Sequence, residues 1–240
     1  ASTKARYVKK LPAPVDVTAD DQTALRQVVE FYHETLKESS EALAYLEKRK
    51  IGHAGAVDHF KLGHANRTFG YRLPNSQLKE GREIRGRLQR LGVYRVTGRE
   101  HFAGSLVIPV MDEQGNVTEM YGRKINDNLR EGTAYHLYLP GPHKGVWNVS
   151  ALPASRDVIL CEALIDALTF WCAGFQNVTA SYGVEGFTAD HLAAFKKYNI
   201  ERVYIPYDRD DAGEKAAARL APALIETGFE VFRVEFPADQ

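Results

Sequence analysis

From residue 157 the chain repeats one unit: a short run rich in branched and aromatic residues, then a longer run with apolar residues at helical spacing. DVILCE precedes ALIDALTFWCAG, NVTASYG precedes TADHLAAFKKY, RVYIPYD precedes DAGEKAAARLAPALIETG, and EVFRVEF closes the series. Strands alternating with helices of roughly 10–15 residues mean βαβ units, which pack as a parallel sheet covered by helices. The strands of such a sheet all point one way. Their carboxyl ends therefore form one rim, and ligands bind beyond it.

Two of these strands end in acid: VILC runs into Glu162, and VYIPY runs into Asp208. If the two strands are neighbours, the acids meet. Asp210 lies two residues beyond Asp208, on the same side of an extended chain. Asp166 follows in the first turn of the next helix and can point back to the rim. Four carboxylates on one rim repel unless a hard cation bridges them, and oxygen donors suit Mg²⁺ or Mn²⁺. Such ions keep waters and bind substrate phosphates, so the pattern points to phosphate chemistry. Asp211 and Glu214 are spaced as a capping box for a helix beginning at Ala212, which gives Asp211 a structural role. Asp166 also suits the positive end of its helix. Pro206 is awkward, because proline donates nothing to a ladder. The strand is expected either to be non-central there or to bulge.

The first half reads differently. Residues 1–19 hold three Lys, two Pro and no periodicity, and are expected to form a linker or tail. A mixed α+β domain is expected over 20–153, with a boundary near Pro153–Ser155 and the parallel-sheet domain over 154–240. Asp20 or Asp21 caps a helix to about Ser39, Ser40 opens a second, and a short third covers about 55–60. A helix over 79–91 turns Ile84, Leu88 and Leu91 inward and Arg82, Arg85, Arg87 and Arg90 largely outward. SLVIPVM and NVTEMYGRKI flank the turn DEQGN as a hairpin, and HLYLPG is a further strand.

The formal charge is zero but unevenly spread. Residues 1–150 carry 23 Lys+Arg against 17 Asp+Glu, and residues 151–240 carry 8 against 14. A basic front and an acidic back fit a polyanion partner on one side and metal cations on the other. A solvated helix face is the alternative for the arginines. Their functional reading is phosphate tracking, with Arg82 and Arg85 on nucleic acid. The cysteines, Cys161 and Cys172, form no CxxC pair, so no zinc ribbon lies within these residues. Reduced thiols, no secretion signal and no 18-residue apolar run predict a cytoplasmic protein with no membrane contact. The missing initiator Met suggests an excerpt from a longer protein. The histidines show no metal-ligand spacing, and no GxxxxGK loop supports a P-loop enzyme. Trp147 and Tyr138 are expected in the core rather than under a base, and Tyr204 and Tyr207 in the sheet core.

EALID, SYG and DRDDAG resemble the motifs of a Toprim domain, the fold of bacterial primases, topoisomerases and small nucleases. Upstream, YLEKRKI, DHFKLGHA, HFAGSLVIPVMDEQGNVTEMYGRKI and HKGVWN follow the order of a DnaG-like primase catalytic core, with 102–124 the most specific stretch. The resemblance implies a Toprim domain preceded by a smaller basic α+β domain that guides template and nascent RNA. It implies DNA-templated synthesis of short RNA primers from NTPs on single-stranded DNA with Mg²⁺ or Mn²⁺. Glu162, Asp208 and Asp210 would be catalytic, and these three with Asp166 would hold metal. Arg123, Lys124, His136 and Lys144 would hold nucleotide or nucleic-acid phosphates. The family commonly has arginines where this chain has Ala103 and Ser105, a lysine near His136, and further acids beyond Pro237, where only Asp239 stands. These departures suit a divergent primase of a plasmid, phage or other mobile element, or an excerpt lacking its neighbouring domains. The resemblance implies a replicative helicase or a zinc-ribbon domain outside this chain as partner. A Toprim nuclease and a non-catalytic single-strand-binding accessory are the alternatives.

Overall fold

The computed structural model describes residues 11–235; the first ten residues of the expected tail, and Asp239, lie outside them. The fold is α/β, with an antiparallel and a parallel sheet of four strands each among the described residues. The first half runs α1 (Asp21–Lys37), α2 (Ser40–Lys48), α3 (Ala54–His59), β1 (Gly63–His64), α4 (Phe69–Arg72), α5 (Lys79–Arg90), β2 (Ser105–Met111), β3 (Val117–Lys124) and β4 (His136–Tyr138). Asp20 caps α1 by accepting from the Thr23 N–H at 2.7 Å, and Ser39 caps α2 through the Ala42 N–H. The strands pair in the order β1-β2-β3-β4. Asp112 shapes the DEQGN turn by accepting from the Gln114 and Asn116 N–H groups. The expected tail is not loose where it is described: Val15 is 1% exposed and packs in the core beneath α1 and α5.

A 3₁₀ turn (Val149–Ala154) leads into β5 (Asp157–Cys161), α6 (Leu164–Cys172), β6 (Val178–Ala180), α7 (Ala189–Lys197), β7 (Arg202–Ile205), α8 (Asp211–Glu226) and β8 (Glu230–Arg233). All pairings are parallel, in the order β6-β5-β7-β8. The chain steps from β5 to one side for β6, then to the other side for β7. The crevice between β5 and β7 is therefore the topological switch point, where open α/β sheets bind ligands. β7 is central, yet Pro206 breaks no ladder, because the strand ends at Ile205. Neither alternative expected for Pro206 applies; the run RVYIPYD is strand for only its first four residues.

Strand alternation separates the core into two faces of the antiparallel sheet. Val107 and Met120 pack with α1 and α5. Leu106, Ile108, Val110 and Tyr121 pack instead with Cys161, Leu164, Ile165 and Leu168 of the parallel-sheet half. One apolar core thus joins the halves, and their relative placement rests on packing rather than on the connecting chain. Residues 146–152 precede the expected boundary but pack on the parallel sheet. Asn148 donates to the Gln176 and Val178 carbonyls, and the Thr179 hydroxyl donates to the Trp147 carbonyl. Trp147 is 1% exposed and stacks on Phe60 at 4.2 Å, so it is core. Trp147→Ala is expected to cost about 3–5 kcal/mol of stability, read as a lowered denaturant midpoint with an unchanged slope.

Candidate active site

The switch point gathers the acids. Glu162 follows β5 directly, and Asp208 stands three residues beyond the end of β7, on the neighbouring strand. Burial, reinforced by Asp208, Asp166 and Asp210, pushes the Glu162 carboxyl up to about 7. Burial and Asp208 push Asp166 up to about 6, while Arg49 and Arg123 act against them. Asp208 and Asp210 are exposed, and Glu162 and Asp166 are half-buried. Among the described residues no three acidic, imidazole or thiol groups are drawn tightly enough to hold an ion as they stand. The rim carboxylates are close enough to raise one another's pKa: Asp208 acts on both Glu162 and Asp166.

Asp210, not Asp211, is the N-cap of α8: its Oδ1 accepts from the Gly213 N–H at 2.7 Å. Glu214 is drawn away to Arg233 at 2.7 Å, so the expected capping box does not form. Gly213 lies so close to the Asp208 carbonyl that a Cβ there would collide with it. This glycine lets α8 begin directly beneath the acid loop.

The antiparallel sheet supplies the opposite wall. Arg123 pairs in register with His136, and its Nη1 donates to His136 Nε2 at 3.2 Å. Nδ1 of His136 lies 2.8 Å from the Tyr121 hydroxyl. Burial, Arg123 and Arg49 push the His136 pKa down, in keeping with a neutral ring that accepts from Arg123. Arg49, at the end of α2 and over the Tyr45 ring at 5.3 Å, is a site residue that the sequence reading misses. Its charge acts on both Asp166 and His136, so it belongs to this wall. The signal is the basic end of YLEKRK, which without tertiary structure is an ordinary helix C-terminus.

Lys124 is not part of that wall. It pairs with Ser105, one residue out of phase with Arg123, so it faces away from the acids. Its ammonium donates to the Ala103 carbonyl and lines a cavity of about 770 Å³ with Arg67, Arg85, Arg95 and Arg99. Burial, then Arg67 and Arg95, lowers the Lys124 pKa. Arg67 sits over Gly104, where a Cβ would strike its guanidinium. The arginine helix is less outward than expected. Arg85 donates to the Gly70 and Pro74 carbonyls, Arg87 to Val17 and Ala19, and Arg82 is exposed and bonds Gln77 outside the cavity lining. Lys144 is exposed, while its carbonyl accepts from the Tyr182 hydroxyl at 3.0 Å. Both cysteines are free. No described helix is long and apolar enough to cross a membrane.

An acidic switch point on a parallel sheet, with Arg123 of the antiparallel sheet and Arg49 at the end of α2 nearby, defines a two-part α/β core. Residues 31–140 match the family described as DNA primase catalytic core, N-terminal domain, and residues 159–240 match the Toprim-like family. The two ranges together take in most of the chain, which belongs to the DnaG-type primase catalytic-core family. A DNA primase of Aquifex aeolicus is 30% identical over 97% of this chain and 47% of its own length, and one of Chlamydia trachomatis is 27% identical over 85% and 35%. The chain thus spans between about a third and a half of these curated relatives. The solved zinc-binding and RNA polymerase domains of the Aquifex aeolicus primase superpose with a TM-score of 0.72 at 26% identity, covering 93% of this chain and 56% of that one. A DnaG catalytic domain bound to single-stranded DNA superposes at 0.72 with 20% identity, covering 90% and 70%.

Proposed function

We propose that this chain is the nucleotidyl-transfer core of a primase, making short RNA primers from NTPs on a single-stranded DNA template. One observation carries the reading: Glu162 and Asp208 follow adjacent parallel strands at the switch point, and Arg123 and Arg49 are near enough to act on Asp166 beside them. The donors on the rim are all carboxylate oxygens. Burial first, and then neighbouring carboxylates, raises Glu162 and Asp166, a cost that a hard dication would offset. Glu162, Asp166, Asp208 and the free oxygen of Asp210 would hold Mg²⁺ or Mn²⁺. A bound ion would neutralise charge developing on the attacking and leaving oxygens.

The chain's own residues do the rest. Arg123 and Arg49 bind the triphosphate and orient its α-phosphorus toward the primer 3′-hydroxyl. The hydroxyl oxygen bonds to that phosphorus as the bond to pyrophosphate breaks, and the hydroxyl proton passes to the Glu162 carboxylate. Neutral His136 braces the Arg123 guanidinium and adds no charge of its own. Lys144, exposed to solvent, supplies a further cation. The cavity on the other face guides the template by its phosphates. Arg67, Arg95, Arg99 and Lys124 gather beside Ala103, so this cavity is basic even though arginines common in the family are absent at Ala103 and Ser105. A replicative helicase or a zinc-ribbon domain, outside these 240 residues, would complete the activity.

The test is incubation with a single-stranded template, NTPs and Mg²⁺ or Mn²⁺. Product in the parent and none in Asp208→Ala is expected. Full product from Asp208→Ala sinks the assignment. Cleavage of labelled DNA without NTPs would mark a nuclease, and DNA binding without turnover an accessory.

A further inference from the structure

We propose that Glu119 is a positioning residue that acts through His143 to hold Lys144 at the edge of the acidic rim. The inference rests on the nucleotidyl-transfer reading above. Glu119 is 2% exposed and lies on the face of β3 that carries Tyr121 and Arg123. A buried carboxylate is costly unless every lone pair is used. Here Oε1 accepts from the Met120 N–H at 2.9 Å and the Leu139 N–H at 2.8 Å, and Oε2 meets His143 Nδ1 at 2.8 Å. The His143 ring stacks on Tyr182 at 4.7 Å and 25° and meets Tyr138 edge-on.

The backbone on either side of Lys144 is held as well. The Tyr182 hydroxyl faces the carbonyls of Lys144 and Gly145 at 3.0 and 2.9 Å, and the Gly145 N–H donates to Asp190 at 2.7 Å. Gly183, which follows Tyr182, donates its N–H to the Glu162 carbonyl at 3.0 Å. One connected path therefore runs from Glu119 through residues 143–145 and 182–183 to the acid that follows β5. Three successive residues are fixed, and in their midst the Lys144 side chain stands exposed. A cation on an immobile backbone meets a phosphate with less ordering cost than one on a free loop. Glu119 cannot reach substrate from its buried position, so its effect passes through His143 and Lys144.

A double-mutant cycle tests this. NTP affinity, by titration, and primer synthesis are measured for the parent, His143→Ala, Lys144→Ala, the double variant, Glu119→Ala and Glu119→Gln. His143→Ala is expected to raise KM for NTP about tenfold with kcat within about twofold, the signature of lost binding. The double variant is expected to be no worse than Lys144→Ala alone. Glu119→Ala removes the partner of His143 and is expected to raise KM as His143→Ala does. Glu119→Gln, which keeps an oxygen for the two N–H groups and an amide facing His143 Nδ1, is expected to recover most of that loss. A Glu119→Ala protein with the parent's KM overturns the role. Additive losses, or a fall in kcat with thermal stability but no change in KM, overturn the positioning role. A parent that binds NTP but makes no primer removes the primase reading alone, because the cycle is then scored on affinity. A parent that binds no NTP overturns both.

Discussion

Asp208→Asn is expected to reduce primer synthesis by about 10³-fold or more, while Glu162→Gln, equally inactive, makes the metal-free protein more stable at pH 8 than the parent. The sign follows from the acids' environment. Glu162 is raised from 4.5 to about 7, by burial first and then by Asp208, Asp166 and Asp210. Between those values the folded chain holds a proton that the unfolded chain has released. Stability therefore falls as pH rises through about 4.5–7, and the full penalty remains above it. Asp166, raised from 3.8 to about 6, adds the same trend in a lower window. Glutamine at 162 removes the charge that creates the first penalty. Thermal melts at pH 5 and pH 8, with and without Mg²⁺, check this. The parent should lose stability at pH 8 and regain it with Mg²⁺, whereas Glu162→Gln should respond weakly to both. A Glu162→Gln protein that melts below the parent at pH 8 without metal would show that the rim is not electrostatically frustrated.

Removing Arg67 and Lys124 together, as alanines, is expected to weaken single-stranded DNA binding by roughly 10²-fold at low salt. It should also flatten the dependence of log affinity on log salt by about 1.4, since each phosphate contact on a single strand contributes about 0.7. Arg82→Ala is the control: its guanidinium lies at Gln77, outside the cavity lining, and little change is expected. Anisotropy titrations from low to moderate salt read both quantities. A double variant with the parent's slope would mean that the cavity does not carry the strand. The contrast between Arg82 and Arg67 also separates this structure from a simple reading of the arginine helix as the track.

How far the sequence reaches depends on the kind of information asked of it. Local pattern is enough where burial and hydrogen bonding are local. Asp20 before an apolar-periodic run caps α1, and DEQGN turns the hairpin. Pattern fails where two local solutions compete. The capping-box spacing points to Asp211, but the cap is Asp210, whose carboxylate meets the Gly213 N–H where that glycine passes close to the Asp208 carbonyl. Proximity in sequence groups Lys124 with Arg123, but adjacency in a strand means opposite faces. Arg49 escapes a sequence reading because Asp166 and His136, on which its charge acts, lie on elements remote in the chain.

The amino-acid order alone determined the alternation of strands and helices after residue 157, the acids at two strand ends and the basic bias of the first half. Those are properties of neighbours along the chain, set by period, capping and charge. Only the tertiary structure decided that β5 and β7 are adjacent, that Arg49 and Arg123 look across at the acids, and that Lys124 looks away. Strand order and facing surfaces arise from apolar burial between segments far apart in sequence, and that packing leaves no periodic trace in any one of them.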